Sequence, residues 1–96
     1  MKKAAEAAKS LSPVQVGNTV CIRTATHTDV GTIVEINSRG VVLLPACWIA
    51  DSARWGEFCA NGATIEHEPF AHPVEVPFGG MIDVTLWPHA VPTTAK

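Results

Sequence analysis

Between Asn18 and Leu44 the chain carries three β-forming runs separated by two turn signals, and this order constrains the fold more than any other feature. Asn18 to Thr26 reads NTVCIRTAT, with Val20 and Ile22 on one face and Cys21 and Arg23 on the other. His27-Thr28-Asp29 reads as a turn. Val30 to Ile36, VGTIVEI, is a second strand, in which Gly31 marks a bulge or a strong bend. Asn37-Ser38-Arg39-Gly40 is the next turn, with Gly40 available for a positive φ. Val41 to Leu44 is a continuous apolar run that fits a strand buried on both faces. Three such strands joined by tight turns make an antiparallel meander.

Pro45 is expected to end the third strand. The internal helix signal follows. Asp51 or Ser52 can cap its start and Asn61-Gly62 its end. Trp48, Ser52, Trp55 and Cys59 fall on one face of this helix of about ten residues. Gly56 inside it costs about 1 kcal/mol of helix propensity. Ala63 to Phe70 reads as a short strand around Ile65. Pro69, Pro73 and Pro77 then restrict any strand to a sheet edge or break it. Gly79-Gly80 turns the chain into a last strand, Met81 to Trp87, and Pro88 to Lys96 is a proline-bearing tail. The expected fold is mainly β: a small, strongly bent antiparallel barrel, SH3-like or Sm-like, with one short internal helix and extended terminal arms. The expected organisation is a basic N-terminal arm over residues 1–12, a single barrel domain over 13–90 and a tail over 91–96.

Charge is unevenly spread. Lys2, Lys3 and Lys9 make the first nine residues basic, whereas residues 10–95 hold three arginines against eight carboxylates and no lysine, leaving −5. A phosphate-binding face needs clustered Lys and Arg, so nucleic-acid binding by the body is disfavoured. Apolar residues are 47% of the chain and charged residues 17%, a composition that folds rather than stays disordered. No apolar run reaches the roughly 18 residues of a membrane span. The start, Met1-Lys2-Lys3-Ala4-Ala5-Glu6, has no apolar stretch of the secretory-signal kind.

The chemistry-bearing residues make few patterns. Cys21, Cys47 and Cys59 are odd in number and lack a CxxC spacing, which points to reduced, apolar cysteines and an intracellular setting. Cys47, Cys59, His67 and His72 are separated by 11, 7 and 4 residues, which match no standard zinc module. No cysteine has an activating neighbour, and no GxSxG, GxxxxGK[ST] or GxGxxG motif occurs. His27 and Asp29 form a conceivable acid–base pair, although such turns are common without chemistry. The reading is of a chain with no catalytic residue, no cofactor and no metal. Trp48, Trp55 and Trp87 read first as core, with an interface as the alternative. Trp87-Pro88-His89 is the best exposed candidate, because Pro88 must leave the sheet.

Ile22-Arg23-Thr24 with Thr26-His27, Gly31-Thr32-Ile33-Val34, Trp48-Ile49-Ala50-Asp51-Ser52 with Arg54-Trp55, Glu68-Pro69-Phe70, Ile82-Asp83-Val84, and Trp87-Pro88-His89 with Pro92 resemble a short uncharacterised family of phages and bacteria. The similarity runs from about Val16 to Pro92. It implies a phage or prophage origin and transfers no catalytic residue. A non-enzymatic virion component is then expected, such as a capsid decoration (cement) protein. Its partners would be its own subunits, as a homo-oligomer, and the major capsid protein. The contacts are placed on Lys2, Lys3, Lys9, Trp87, Pro88 and His89, with the N-terminal arm and the tail lying along a neighbouring subunit. The alternative is an intracellular accessory protein that binds a host protein or a small ligand, as in counter-defence, and an Sm-like nucleic-acid binder ranks lower. The expected location is the virion or the host cytoplasm, without membrane association.

Overall fold

The computed structural model describes residues 10–96, so the expected contacts of Lys2, Lys3 and Lys9 in the N-terminal arm lie outside the described residues. The element order is β1 (Thr19–Thr24), β2 (Thr28–Ile36), β3 (Gly40–Asp51), α1 (Trp55–Asn61), β4 (Glu66–Pro69), β5 (Val74–Pro77), a 3₁₀ turn (Phe78–Gly80) and β6 (Met81–Leu86). All six strands join one antiparallel sheet in the order β4-β3-β2-β1-β6, with β5 also pairing with β3. The fold is mainly β with one short helix, as the sequence indicates.

The meander forms, but its first turn falls at residues 25–27 rather than at His27-Thr28-Asp29, because β2 already begins at Thr28. Thr24 Oγ1 accepts from the His27 amide at 2.9 Å. Asn37 Oδ1 accepts from the amides of Arg39 at 2.8 Å and Gly40 at 3.1 Å. Gly40 does not take a positive φ. Its need is space: a Cβ there would sit 2.0 Å from the Val76 carbonyl oxygen.

Two expectations around β3 are corrected. Pro45 does not end the strand. Leu43 faces Ile33 and Ala46 faces Gly31, so β3 takes three steps where β2 takes two. This bulge holds Pro45, which has no N–H to offer a regular ladder. The strand runs on to Asp51 and therefore takes Trp48 away from the helix. The helix is accordingly shorter, seven residues, and begins without a side-chain cap at Arg54. Asp51 instead accepts from the Ala53 amide at 2.9 Å, closing a turn rather than capping a helix. The end falls at the predicted stop: Gly62 is left-handed and its amide donates to the Phe58 carbonyl. Ile65 lies outside β4 and is exposed.

Chain length forces the sheet to curl. Along a flat sheet, β5 and β6 would stand four strand spacings apart, about 19 Å. The link from Pro77 to Met81 spans about 14 Å at most. The sheet bends to satisfy the link, but no ladder joins β6 to β4 or β5, so it stays open.

Each face of the sheet carries its own core, because strand side chains alternate. Val20, Ile22, Ile33, Val41, Leu43, Ala46 and Val76 form the first, with Val14, Met81 and Val84 packed against it. Cys21, Val30 and Cys47, in register across β1, β2 and β3, begin the second. Ile49, Phe58 and Trp87 complete it, and Val91 packs on its rim. The helix and the C-terminal tail thus cover the face that the curl leaves open.

Candidate functional site

The Trp87-Pro88-His89 segment is a clasp rather than an exposed anchor. Trp87 is only 6% exposed, so its first reading as core holds and the alternative of an exposed anchor does not. Its amide donates to the Thr19 carbonyl at 2.8 Å, fixing the chain as it leaves β6. Its ring lies 4.4 Å from Phe58, centroid to centroid, and His89 meets it edge-on at 4.8 Å. A carbonyl only accepts, so His89 Nε2 donates to the Cys59 carbonyl at 2.9 Å and ties the tail to α1. The segment after it returns to β4. His67 and Lys96 exchange backbone hydrogen bonds at 3.1 and 2.9 Å, and His67 Nε2 donates to the Thr94 carbonyl at 2.9 Å. The expected extended C-terminal arm is therefore folded onto its own domain.

Beside the clasp is a cavity of about 240 Å³ lined by Cys21, Trp55, Cys59, Thr85, Leu86, Trp87 and Pro88. Trp55 is part of its lining, and the Arg23 guanidinium lies 4.5 Å over the Trp55 ring. Arg23 also forks onto Asp83, with Nε at 2.9 and 3.1 Å from the two carboxylate oxygens. The pair holds the Asp83 carboxyl below its usual range.

β6 pairs only with β1, so its other edge is unpaired among the described residues. Ile82 and Leu86 stand there 66% and 55% exposed. Asp83 is the one charged side chain of the strand and is engaged by Arg23. The opposite edge differs: β4 and β5 carry Glu66, Glu68, Pro69, Glu75 and Pro77, and the tail covers part of β4.

A second cavity, about 370 Å³, opens beside the β1–β2 turn. Thr24, Thr26, His27 and Asp29 line one wall, and Phe70, Val74, Glu75, Val76 and Pro77 the other. Asp29 is 5% exposed, and its Oδ1 is buried without a hydrogen-bond partner among the described residues. Burial pushes its carboxyl above the ordinary value, opposed by the nearby His27. His27 Nδ1 is hydrogen-bonded to Thr26 Oγ1 at 2.8 Å, and its ring lies 5.8 Å from Trp48. Sequence reasoning paired His27 with Asp29 but placed both in a turn, and missed that Asp29 is buried. The available signal was register: Asp29 faces Ile22, a core position.

The cysteine and histidine set does not converge. Cys47 is buried in the second core, His67 uses both ring nitrogens on Thr64 and Thr94, and Cys59 lies exposed on α1. Among the described residues no group of three or more His, Cys, Asp or Glu is placed to hold a metal ion. Burial pushes the Cys21 thiol up to about 12 and the Cys47 thiol to about 11, far from a thiolate at neutral pH. Among the described residues no helix is long and apolar enough to cross a membrane.

No protein-family model, curated protein or solved structure matches this chain.

Proposed function

We propose that this chain is a non-enzymatic assembly protein whose sheet, curled in the manner of an SH3-like barrel but open at β6, joins copies of itself edge to edge through that strand. The observation that carries this reading is the contrast between the two sheet edges. β4 and β5 bear the carboxylates and prolines that discourage strand addition. β6 bears none that is free, since Arg23 neutralises Asp83, and it presents Ile82 and Leu86 to solvent. Strand addition there would satisfy the unpaired backbone groups and bury both side chains. Taken with the resemblance to a phage family, the role that fits is a virion component such as a capsid decoration protein.

The test is native mass spectrometry of the full chain and of an Ile82→Lys, Leu86→Lys variant. The wild type is expected to be oligomeric and the variant monomeric with an unchanged circular dichroism spectrum. A monomeric wild type at about 100 μM, well above the Kd range of specific oligomers, overturns the assembly reading. Quantitative mass spectrometry of purified particles tests the virion role, which requires copy numbers approaching those of the major capsid protein.

A further inference from the structure

We propose that the cavity beside the β1–β2 turn binds a small organic ammonium ion, a primary amine on a compact apolar body, with Asp29 as its counter-charge. The inference goes beyond the assembly reading, and Ile82 and Leu86 are not among the residues that line the site.

Asp29 sits in the wall of an open cavity, yet it is 95% buried and one carboxylate oxygen has no partner among the described residues. A buried carboxylate without a partner is unfavourable, and a positive charge held in the adjoining cavity reduces the penalty. The surroundings select the sign of that ligand. The wall contains no lysine or arginine, and its other carboxylate, Glu75, is already held by Arg39 and Asn37. An anion would meet two carboxylates, whereas a monocation would meet one that is free.

The walls also select an organic cation over a metal ion. Hard cations take six or more oxygen ligands. Here the hydroxyls of Thr24 and Thr26 are already engaged with His27. Phe70, Val74, Val76 and Pro77 supply apolar wall instead. A volume of about 370 Å³ falls at the small end of ligand sites, which suits a fragment-sized amine.

The probe is benzylamine, titrated into the ¹⁵N-labelled full chain at pH 7.5 and followed by amide NMR, with benzyl alcohol as the uncharged counterpart. The expected result is saturable shifts at His27, Asp29, Val74 and Val76 with a Kd of about 1 mM or lower. Benzyl alcohol is expected to bind at least about tenfold more weakly, and Asp29→Asn to lose benzylamine affinity by at least about tenfold. Equal affinity for the amine and the alcohol, unchanged binding in Asp29→Asn, shifts confined to other regions, or no saturation overturns the proposal. The amine–alcohol comparison uses the unmodified protein, so it decides the question even if the Asp29 variant does not fold.

Discussion

Gly31 and Pro45 stand so close across β2 and β3 that a Cβ on Gly31 would lie 2.7 Å from the Pro45 carbonyl oxygen. The same atom would lie 3.0 Å from the Leu43 Cβ and 3.2 Å from the Ala46 Cα. Two of these three are backbone atoms held by the bulge, so a methyl group has no flexible neighbour to displace. Gly31→Ala is expected to cost about 3 kcal/mol in urea unfolding, the upper range of overpacking. Gly56→Ala, in a helix with nothing within 4 Å of the added carbon, is expected to gain about 0.8 kcal/mol. Equal effects of the two substitutions would count against the bulge geometry.

Trp87 and Trp55 are expected to separate by stability. Trp87→Ala removes a buried ring stacked on Phe58 and should cost about 4 kcal/mol. Trp55 is 39% exposed, with its ring 5.4 Å from Phe58 and under the Arg23 guanidinium, so Trp55→Ala should cost less, about 1–2 kcal/mol. Denaturation followed by circular dichroism measures both without relying on the fluorescence that the substitutions remove.

These contrasts show what the sequence carried and what it did not. The β-forming run of β1, the Asn37–Gly40 turn and the Gly62 stop are local signals, and each appears where its chemistry places it. Gly31 was legible as an irregular strand position for the same reason. The continuation of β3 past Pro45 was not, because the bulge depends on pairing with β2. The burial of Trp87 depends on Phe58 arriving from α1, a contact between segments that no local pattern specifies. Asp29 was hidden by the strand boundary: read as a turn residue, its inward register against Ile22 had no meaning. The three prolines at 69, 73 and 77 did foretell edge strands, since a missing N–H is a local property.

Asp29 should leave a signature in the pH dependence of stability. Its folded carboxyl titrates above the ordinary value of 3.8, so the native state binds more protons than the unfolded state between the two values. Stability from this group is present in full below about pH 3.8 and is lost as pH rises through the raised folded value. Asp83 and Glu75, lowered by their arginine partners, act in the opposite sense and lose stability as pH falls through their folded values. The difference between wild type and Asp29→Asn isolates the first effect. The variant's relative stability is expected to increase as pH rises from 4 to 7, by an amount read from thermal melts across that range. A flat difference would mean that Asp29 is not desolvated.

Thiol chemistry offers an independent check on the second core. Cys59 is exposed, whereas Cys21 and Cys47 are buried and raised far above neutral pH. An aromatic disulfide reagent at pH 8 is expected to modify Cys59 quickly in the native protein, and the other two only on unfolding. Native reaction of Cys47 would show that the face between α1 and the sheet opens.

The C-terminal tail is tied to β4. His67 anchors it with two backbone hydrogen bonds to Lys96 and one from its ring to Thr94, and Val91 packs on the second core. Three hydrogen bonds at about 1 kcal/mol each would overstate the loss, because the ring bond to Thr94 is exposed and water replaces it. Val91 adds about 1 kcal/mol from its partial burial. Removing residues 91–96 is therefore expected to lower the unfolding free energy by about 2–3 kcal/mol, measured by urea denaturation. If the tail serves its own domain, oligomer size by native mass spectrometry should not change. Unchanged stability together with a smaller oligomer would instead place residues 91–96 on a neighbouring copy. The two readouts separate the roles because His67 can bond only one tail at a time.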